Sequence, residues 1–136
     1  MIKHNHLKKI FYKDVDQMGI VYYSRYLEFF EEARTELLSK IGLNISLVEG
    51  TGIYLPVITS HCDYKRSAKL EQVLNIKTSI NEIPNVKLKI EYEVSLYEDS
   101  THIASGYTIH AFTNSLGKPQ RIPTEIQARI VESFNN

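Results

Sequence analysis

One long helical pattern occupies the first third of the chain. Between Tyr22 and Ile41, apolar residues recur at intervals of three or four and define one wide apolar face, followed by Gly42 as a typical helix stop. The residues of this face are Tyr26, Phe29, Phe30, Ala33, Leu37, Leu38 and Ile41. No second long helical pattern precedes the C-terminus, so the helix needs a sheet to pack against.

After this helix the apolar residues alternate with polar ones, which is the spacing of strands with one buried face. Turn residues separate the alternating stretches. A closing helix is predicted over 123–134 and a loop over 44–52. The predicted strands are 4–13, 54–64, 74–80, 86–96 and 102–113.

This order of elements predicts the fold class. One strongly curved antiparallel sheet wrapped around one long central helix satisfies the order with short connections and one core. The 136 residues, 43% of them hydrophobic, suffice for a single core and are too few for two. We therefore expect an α+β fold and one domain that spans residues 1–136.

Charge and composition exclude several classes of protein. Lys plus Arg and Asp plus Glu are equal at 16 each, so no overall field favours nucleic acid or an anionic membrane. No apolar run is long enough to span a bilayer, and no signal-peptide pattern is present. The single cysteine, Cys62, cannot form an internal disulfide. A cytoplasmic protein without a nucleic-acid partner or a membrane span is expected.

The cysteine and the histidines give weak signals for chemistry. Cys62 follows His61 directly, and adjacent strand residues point to opposite faces, so this pair does not predict a thiol nucleophile. The five histidines lack acidic or cysteine partners at ligand spacing, so no metal site is expected. His61 stays a candidate neighbour of a substrate pocket because its strand ends near Tyr64 and Lys65.

An acidic turn precedes the long helix and is the best candidate for a reactive site. Asp14 and Asp16 lie just before Gly19 and the helix start. The first backbone N–H groups of a helix have no intrahelical partner, so a carboxylate here stands beside donors for developing negative charge. From the turn alone, a structural role in a turn or helix cap is the more common use of such aspartates.

The residues of this turn and helix resemble a known family. Residues 12–22 and 26–36 closely resemble the opening block of hotdog-fold acyl-CoA thioesterases, in particular the 4-hydroxybenzoyl-CoA thioesterase family and its YbgC-like branch. Looser matches follow at Asp63-Tyr64, at Ser67-Ala68 and at Arg121-Ile122-Pro123. The resemblance implies the hotdog fold, in which a curved sheet surrounds the helix.

The resemblance also implies roles for residues of the turn. Asp16 aligns with the family's catalytic carboxylate, which acts as a nucleophile on the thioester or as a general base on water. The backbone N–H of Tyr23 aligns with the oxyanion donor. Gly19 allows the sharp bend and the approach of a substrate carbonyl, and Asp14 is expected to hold the turn. The YbgC-like branch usually carries His where Tyr23 stands, so no histidine role is carried over.

The implied reaction is hydrolysis of an acyl-CoA to free acid and CoA, without metal or redox cofactor. Tyr22 and Tyr26 suit an aromatic acyl group such as hydroxybenzoyl or dihydroxynaphthoyl, with short or medium aliphatic acyl groups left open. Lys65 and Arg66 suit the CoA phosphates. An acyl carrier protein is a further candidate partner. Hotdog domains pair their sheets around shared active sites, so a homodimer or homotetramer is expected.

Two other functions fit the same fold. A hotdog enoyl-thioester hydratase generally pairs an Asp with a nearby His, which the opening block does not supply. A non-catalytic hotdog protein could serve acyl-carrier or envelope assembly. The presence of both Asp16 and Gly19 favours an active thioesterase.

Overall fold

A computed structural model describes residues 1–136 and contains one six-stranded sheet. None of its helices is both long and apolar enough to cross a lipid bilayer. In chain order the elements are β1 (Ile2–Lys9), a 3₁₀ turn (Tyr12–Asp14), α1 (Arg25–Lys40), α2 (Ile45–Gly50), β2 (Val57–Tyr64), β3 (Val73–Ile80), β4 (Lys87–Leu96), β5 (His102–Thr113), β6 (Pro119–Gln120) and α3 (Thr124–Phe134).

The sheet wraps α1 on one face. Its strand order is β1-β3-β4-β5-β2, every pairing is antiparallel, and the short β6 pairs with β5. Helix α1 packs against β1, β2 and β3. Along β4 the apolar residues face this helix and the charged residues face outward, as strand alternation requires. The predicted α+β architecture, a curved antiparallel sheet around one long helix, is confirmed.

The centre of the core is a contact between α1 and the middle of the sheet. Phe30 of α1 is fully buried and stacks on Tyr92 of β4, with 4.1 Å between ring centroids. Gly106 of β5 pairs with Tyr92 on one side and with Cys62 of β2 on the other. A Cβ at position 106 would collide with the backbone oxygen of His61 and lie 2.9 Å from the Phe30 ring. Glycine therefore lets the helix approach the sheet here.

Gly106→Ala is expected to lower the free energy of unfolding by about 2 kcal/mol, because overpacking a core costs about 1–3 kcal/mol. Urea unfolding measures this loss. Gly50→Ala is the matched control, since a Cβ at position 50 meets nothing within 4 Å. Equal urea midpoints for the two variants would contradict the close packing of β2 and α1 around Gly106.

A buried chain of hydrogen bonds crosses β4 and β5 and ends at the segment before β2. His110 Nδ1 lies 3.0 Å from the carbonyl oxygen of Leu55, which can only accept, so this nitrogen carries the proton. Burial lowers the pKa of His110, which favours the neutral ring. His110 Nε2 therefore accepts from the Thr108 hydroxyl at 2.9 Å, and Thr108 accepts from Tyr92 at 2.7 Å. Every member of the chain has a defined donor or acceptor role.

Several predicted boundaries were wrong. The first strand, predicted over 4–13, ends at Lys9, because the Asp14 carboxylate accepts the Phe11 N–H and turns the chain out of the sheet. The long helix, predicted from Tyr22, begins at Arg25, because the Tyr22 N–H donates to the Asp14 carbonyl instead of entering the helix.

Two corrections concern the segment between α1 and β2. The loop predicted over 44–52 contains α2, because Val48 is buried against the core and orders one short helix. The strand predicted over 54–64 begins at Val57, since Tyr54 forms only an isolated bridge with Thr113. The strands predicted at 74–80, 86–96 and 102–113 and the closing helix are confirmed, with shifts of one residue at some ends.

Candidate active site

The acidic turn is closed by backbone hydrogen bonds and brings its two ends together. Val15 bridges to Val21, and the Asp16 N–H donates to the Ile20 carbonyl at 2.9 Å. The Gly19 N–H donates to the Asp16 carbonyl at 3.0 Å, with Gly19 at φ 75°, in the left-handed region that favours glycine. The segment just before α1 therefore lies beside the segment that carries Asp16.

Asp14 is the buried carboxylate of the turn. Its side chain is 1% exposed, and it accepts the Phe11 N–H at 3.0 Å and the Lys13 ammonium at 3.1 Å. Burial alone would raise the pKa of Asp14, but these partners outweigh it and hold the pKa below its ordinary value. An ionised, fully partnered carboxylate in this place agrees with the structural role expected of Asp14.

Asp16 is the exposed carboxylate. Its Oδ1 accepts the Met18 N–H at 2.8 Å and the Ile20 N–H at 3.2 Å. Its Oδ2 makes no hydrogen bond within the chain. One oxygen is therefore tethered to the turn while the other is free for chemistry, as a nucleophile or a base must be.

Tyr23 offers an unpaired backbone donor just ahead of α1. Its N–H donates to no acceptor within the chain, whereas its carbonyl accepts the Tyr26 N–H at 3.3 Å. The helix dipole adds partial positive charge at this end of α1. The residue predicted to supply the oxyanion donor therefore has that donor available.

Four tyrosines surround the start of α1. Tyr22 and Tyr23 are 49% and 60% exposed, and their ring centroids lie 4.7 Å apart. Tyr26 is buried, with its ring edge-on to Tyr64 at 5.3 Å, and burial raises its pKa to about 12. Tyr22 is thus open to a ligand, while Tyr26 forms part of the wall beneath it, and a substrate contact for Tyr26 stays a prediction.

The basic loop, residues 65–70, runs beside the acidic turn. The Val21 N–H donates to the Ala68 carbonyl at 2.9 Å, and the Leu70 N–H donates to the Gly19 carbonyl at 3.1 Å. Lys65, Arg66 and Lys69 are exposed and form no ion pair within the chain. Three free cationic side chains therefore border the turn that carries Asp16.

His61 lies on the outward face of the sheet. Its Nε2 is 3.0 Å from Asp63 Oδ2, which lowers the Asp63 pKa, and its ring stacks on Tyr107 with 5.3 Å between centroids. His61 and Asp63 meet because strand residues two apart share a face. No group of three or more His, Cys, Asp or Glu residues could hold a metal ion.

A cavity of about 640 Å³ contains none of the predicted site residues. It is bounded by α1, by α2 and by the segments before β2 and after β5. Its walls combine apolar side chains with a few charged ones, among them Arg34 and Glu31 of α1. The cavity lies against the middle of α1, whereas the Asp16 turn precedes this helix in the chain.

Comparison with known proteins assigns the family. A family model described as the thioesterase-like superfamily matches residues 12–130. The acyl-CoA thioesterase YbgC of Haemophilus influenzae is 32% identical over 123 residues, which cover 88% of this chain and 88% of that protein. The chain belongs to the YbgC-like thioesterases. The matched region contains every residue that we predicted for the site.

Solved structures agree with this family assignment. A DHNA-CoA thioesterase from Staphylococcus aureus superposes with a TM-score of 0.88 at 25% identity, covering 99% of this chain and 95% of that one. A hypothetical protein from Thermus thermophilus gives a TM-score of 0.87 at 27% identity, with 96% of each chain covered. The predicted resemblance, the hotdog fold and the class of enzyme, a thioester hydrolase, are thereby confirmed.

Sequence reasoning about the thioesterase missed the cavity and the partners of His61. The cavity needs α2, whose six residues give too short a pattern to be distinguished from a loop. Asp63 could have been found, because its spacing of two from His61 within a predicted strand already places both on one face.

Proposed function

We propose that this thioesterase hydrolyses acyl-CoA to free acid and CoA, with Asp16 as the working carboxylate. The carrying observation is that one short stretch of chain ahead of α1 holds two groups without a partner, the Oδ2 of Asp16 and the N–H of Tyr23. A carboxylate oxygen and an oxyanion donor are the two groups that acyl transfer requires.

In the nucleophilic route, Asp16 Oδ2 attacks the thioester carbonyl carbon, and the carbonyl oxygen becomes an oxyanion that accepts the Tyr23 N–H. The C–S bond then breaks and CoA leaves as its thiolate, which needs little acid assistance because a thiol has a pKa near 8.5. Water hydrolyses the resulting mixed anhydride and regenerates Asp16. In the general-base route, Asp16 takes a proton from water, and that water attacks the same carbonyl. Both routes use the same two groups.

The basic loop is the proposed site for the CoA phosphates. Lys65 and Arg66 are free of carboxylate partners, so their charge is available to a polyanion. Hydrogen bonds from the loop to Gly19 and Val21 hold it beside the reacting end of the site. An acyl carrier protein presents the same phosphopantetheine thioester and is the alternative carrier.

The proposed acyl group is aromatic, such as hydroxybenzoyl or dihydroxynaphthoyl, with a short or medium aliphatic chain as the second candidate. The exposed rings of Tyr22 and Tyr23 favour the first, because aromatic pairs gain about 0.5–1.5 kcal/mol beyond their buried area. The fold neighbour from S. aureus that is named a DHNA-CoA thioesterase supports the same choice. The name of the H. influenzae relative specifies acyl-CoA without an acyl group, so a short or medium aliphatic chain stays the second candidate.

A second copy of the chain is proposed to complete the site. Asp16, Tyr22 and Tyr23 lie on an open surface, whereas electrostatic stabilisation of an oxyanion is strongest where water is excluded. Strand β2 is an unpaired sheet edge, exposed on both faces, and carries Val57, Ile58 and Tyr64 in contact with solvent. Such edges are normally covered. We propose that β2 pairs with a second copy in a dimer, which can double into a tetramer.

Turnover of a thioester panel tests this function. Aryl-CoA and aliphatic acyl-CoA substrates are compared with truncated thioesters that lack the nucleotide, by release of free thiol. We expect kcat/KM to be highest for aryl-CoA and at least tenfold lower for the truncated aryl thioester, because two to three charge-assisted contacts are lost. A flat profile across acyl groups would argue against a dedicated aromatic site, and absence of thiol release from every substrate would contradict the function itself.

A further inference from the structure

Tyr64, the last residue of β2, reaches the start of α1 across 41 positions of sequence. Its hydroxyl donates a hydrogen bond of 3.1 Å to the carbonyl oxygen of Tyr23. Its ring meets the Tyr23 ring at 6.5 Å and the Tyr26 ring at 5.3 Å, edge-on in both cases. Three contacts therefore connect the end of the edge strand to the first turn of the helix.

The Tyr23 carbonyl is poorly supported without Tyr64. Its other partner is the Tyr26 N–H at 3.3 Å, a long bond at the frayed beginning of the helix. The N–H and the carbonyl of Tyr23 belong to two successive peptide planes that share one Cα. A hydrogen bond that holds the carbonyl plane also holds this shared Cα, which is one end of the peptide that carries the free N–H. A second hydrogen bond on the carbonyl therefore limits movement of that peptide.

The Tyr64 hydroxyl is suited to be a permanent donor. Burial raises its pKa to about 12, so it stays protonated through the pH range in which thioesters survive. The rings of Tyr23 and Tyr26 pack edge-on against the Tyr64 ring and restrict where its hydroxyl can lie. A protonated hydroxyl in this place donates to the Tyr23 carbonyl.

We propose that Tyr64 is a positioning residue that aims the Tyr23 N–H at the oxyanion through its hydrogen bond to the Tyr23 carbonyl. It does not touch the reacting atoms. The inference rests on the proposed role of the Tyr23 N–H as oxyanion donor. Through this hydrogen bond, a residue at the end of the edge strand β2 contributes to stabilisation of the oxyanion.

Tyr64→Phe tests the proposal, because it removes the hydroxyl and keeps the ring. We expect kcat to fall about tenfold, the effect of one lost hydrogen bond, while KM stays within twofold. The Ser24 amide shares its peptide plane with the Tyr23 carbonyl, so its nitrogen chemical shift should move in the same variant. Tyr97→Phe is the control, since Tyr97 is 62% exposed just after β4 and should change neither value.

The outcomes separate this proposal from the proposed function. Wild-type kcat in Tyr64→Phe, or an unchanged Ser24 shift, would overturn the positioning role. Full activity of Asp16→Asn together with the expected loss in Tyr64→Phe would overturn the catalytic carboxylate and leave the role of Tyr64 supported. Thermal unfolding of each variant shows whether a lower kcat reflects loss of folded protein.

Discussion

Asp16→Asn is expected to lower kcat for acyl-CoA hydrolysis by about 10³-fold, because a carboxamide can neither attack the carbonyl nor take a proton from water. The fold should survive. The amide oxygen of Asn can still accept the Met18 and Ile20 N–H groups that now bond Asp16 Oδ1. Thiol release under saturating substrate measures the loss of turnover, and urea unfolding checks that stability is retained.

Asp99→Asn is the matched control for this variant. Asp99 is exposed in the turn between β4 and β5, and its Oδ1 accepts the N–H of Thr101 two residues on, at 2.9 Å. It therefore makes the same kind of turn contact as Asp16 without a neighbouring oxyanion donor. We expect its kcat to equal that of the wild type. A kcat within tenfold of wild type for Asp16→Asn would remove Asp16 from the chemistry.

Ile58→Lys is expected to prevent the proposed dimer from forming and to lower kcat about a hundredfold. Burying an Ile contributes about 1.5–3 kcal/mol per subunit, and two introduced ammonium groups would add the cost of desolvation. Activity should fall with assembly because the open Asp16 turn loses the surface that excludes water. Analytical ultracentrifugation measures the oligomeric state, and thiol release measures activity at the same protein concentration.

Ile83→Lys serves as the control for the edge substitution. Ile83 lies in the connection between β3 and β4 and is 47% exposed, against 49% for Ile58, so the two changes alter solvent-exposed apolar area equally. Only the change on β2 should affect assembly. A wild-type protein that sediments as a monomer and is fully active would contradict the shared site.

The sequence predicted the elements whose pattern has one physical cause. In β4, Leu88, Ile90, Tyr92 and Val94 alternate with charged residues because one face of the strand meets α1 and the other meets water. This alternation predicts both the strand and the residues where it ends. Helix α1 was recognised for the same reason. Its first residues were misassigned because the apolar spacing extends into Tyr22, whose backbone is committed to the acidic turn.

The candidate site was predictable only in part. Asp16 and Gly19 belong to a contiguous block, so a resemblance could identify them together. Tyr64 contributes through a hydrogen bond to a backbone carbonyl 41 positions away, and no spacing in the sequence encodes such a contact. The cavity depends on three separated segments and on a short helix stabilised by tertiary packing, which local patterns do not reveal.

The hydrogen bonds between the basic loop and the acidic turn also fix the distance between these two segments. Gly19 and Val21 are hydrogen-bonded to Leu70 and Ala68, so the basic loop and the acidic turn form one connected strip of backbone. If the basic loop binds the phosphates and Asp16 acts as proposed, this strip fixes the distance between the bound phosphates and the place of bond cleavage. The carrier is then selected by the length of its pantetheine arm. Acyl preference can change at other residues without changing that distance.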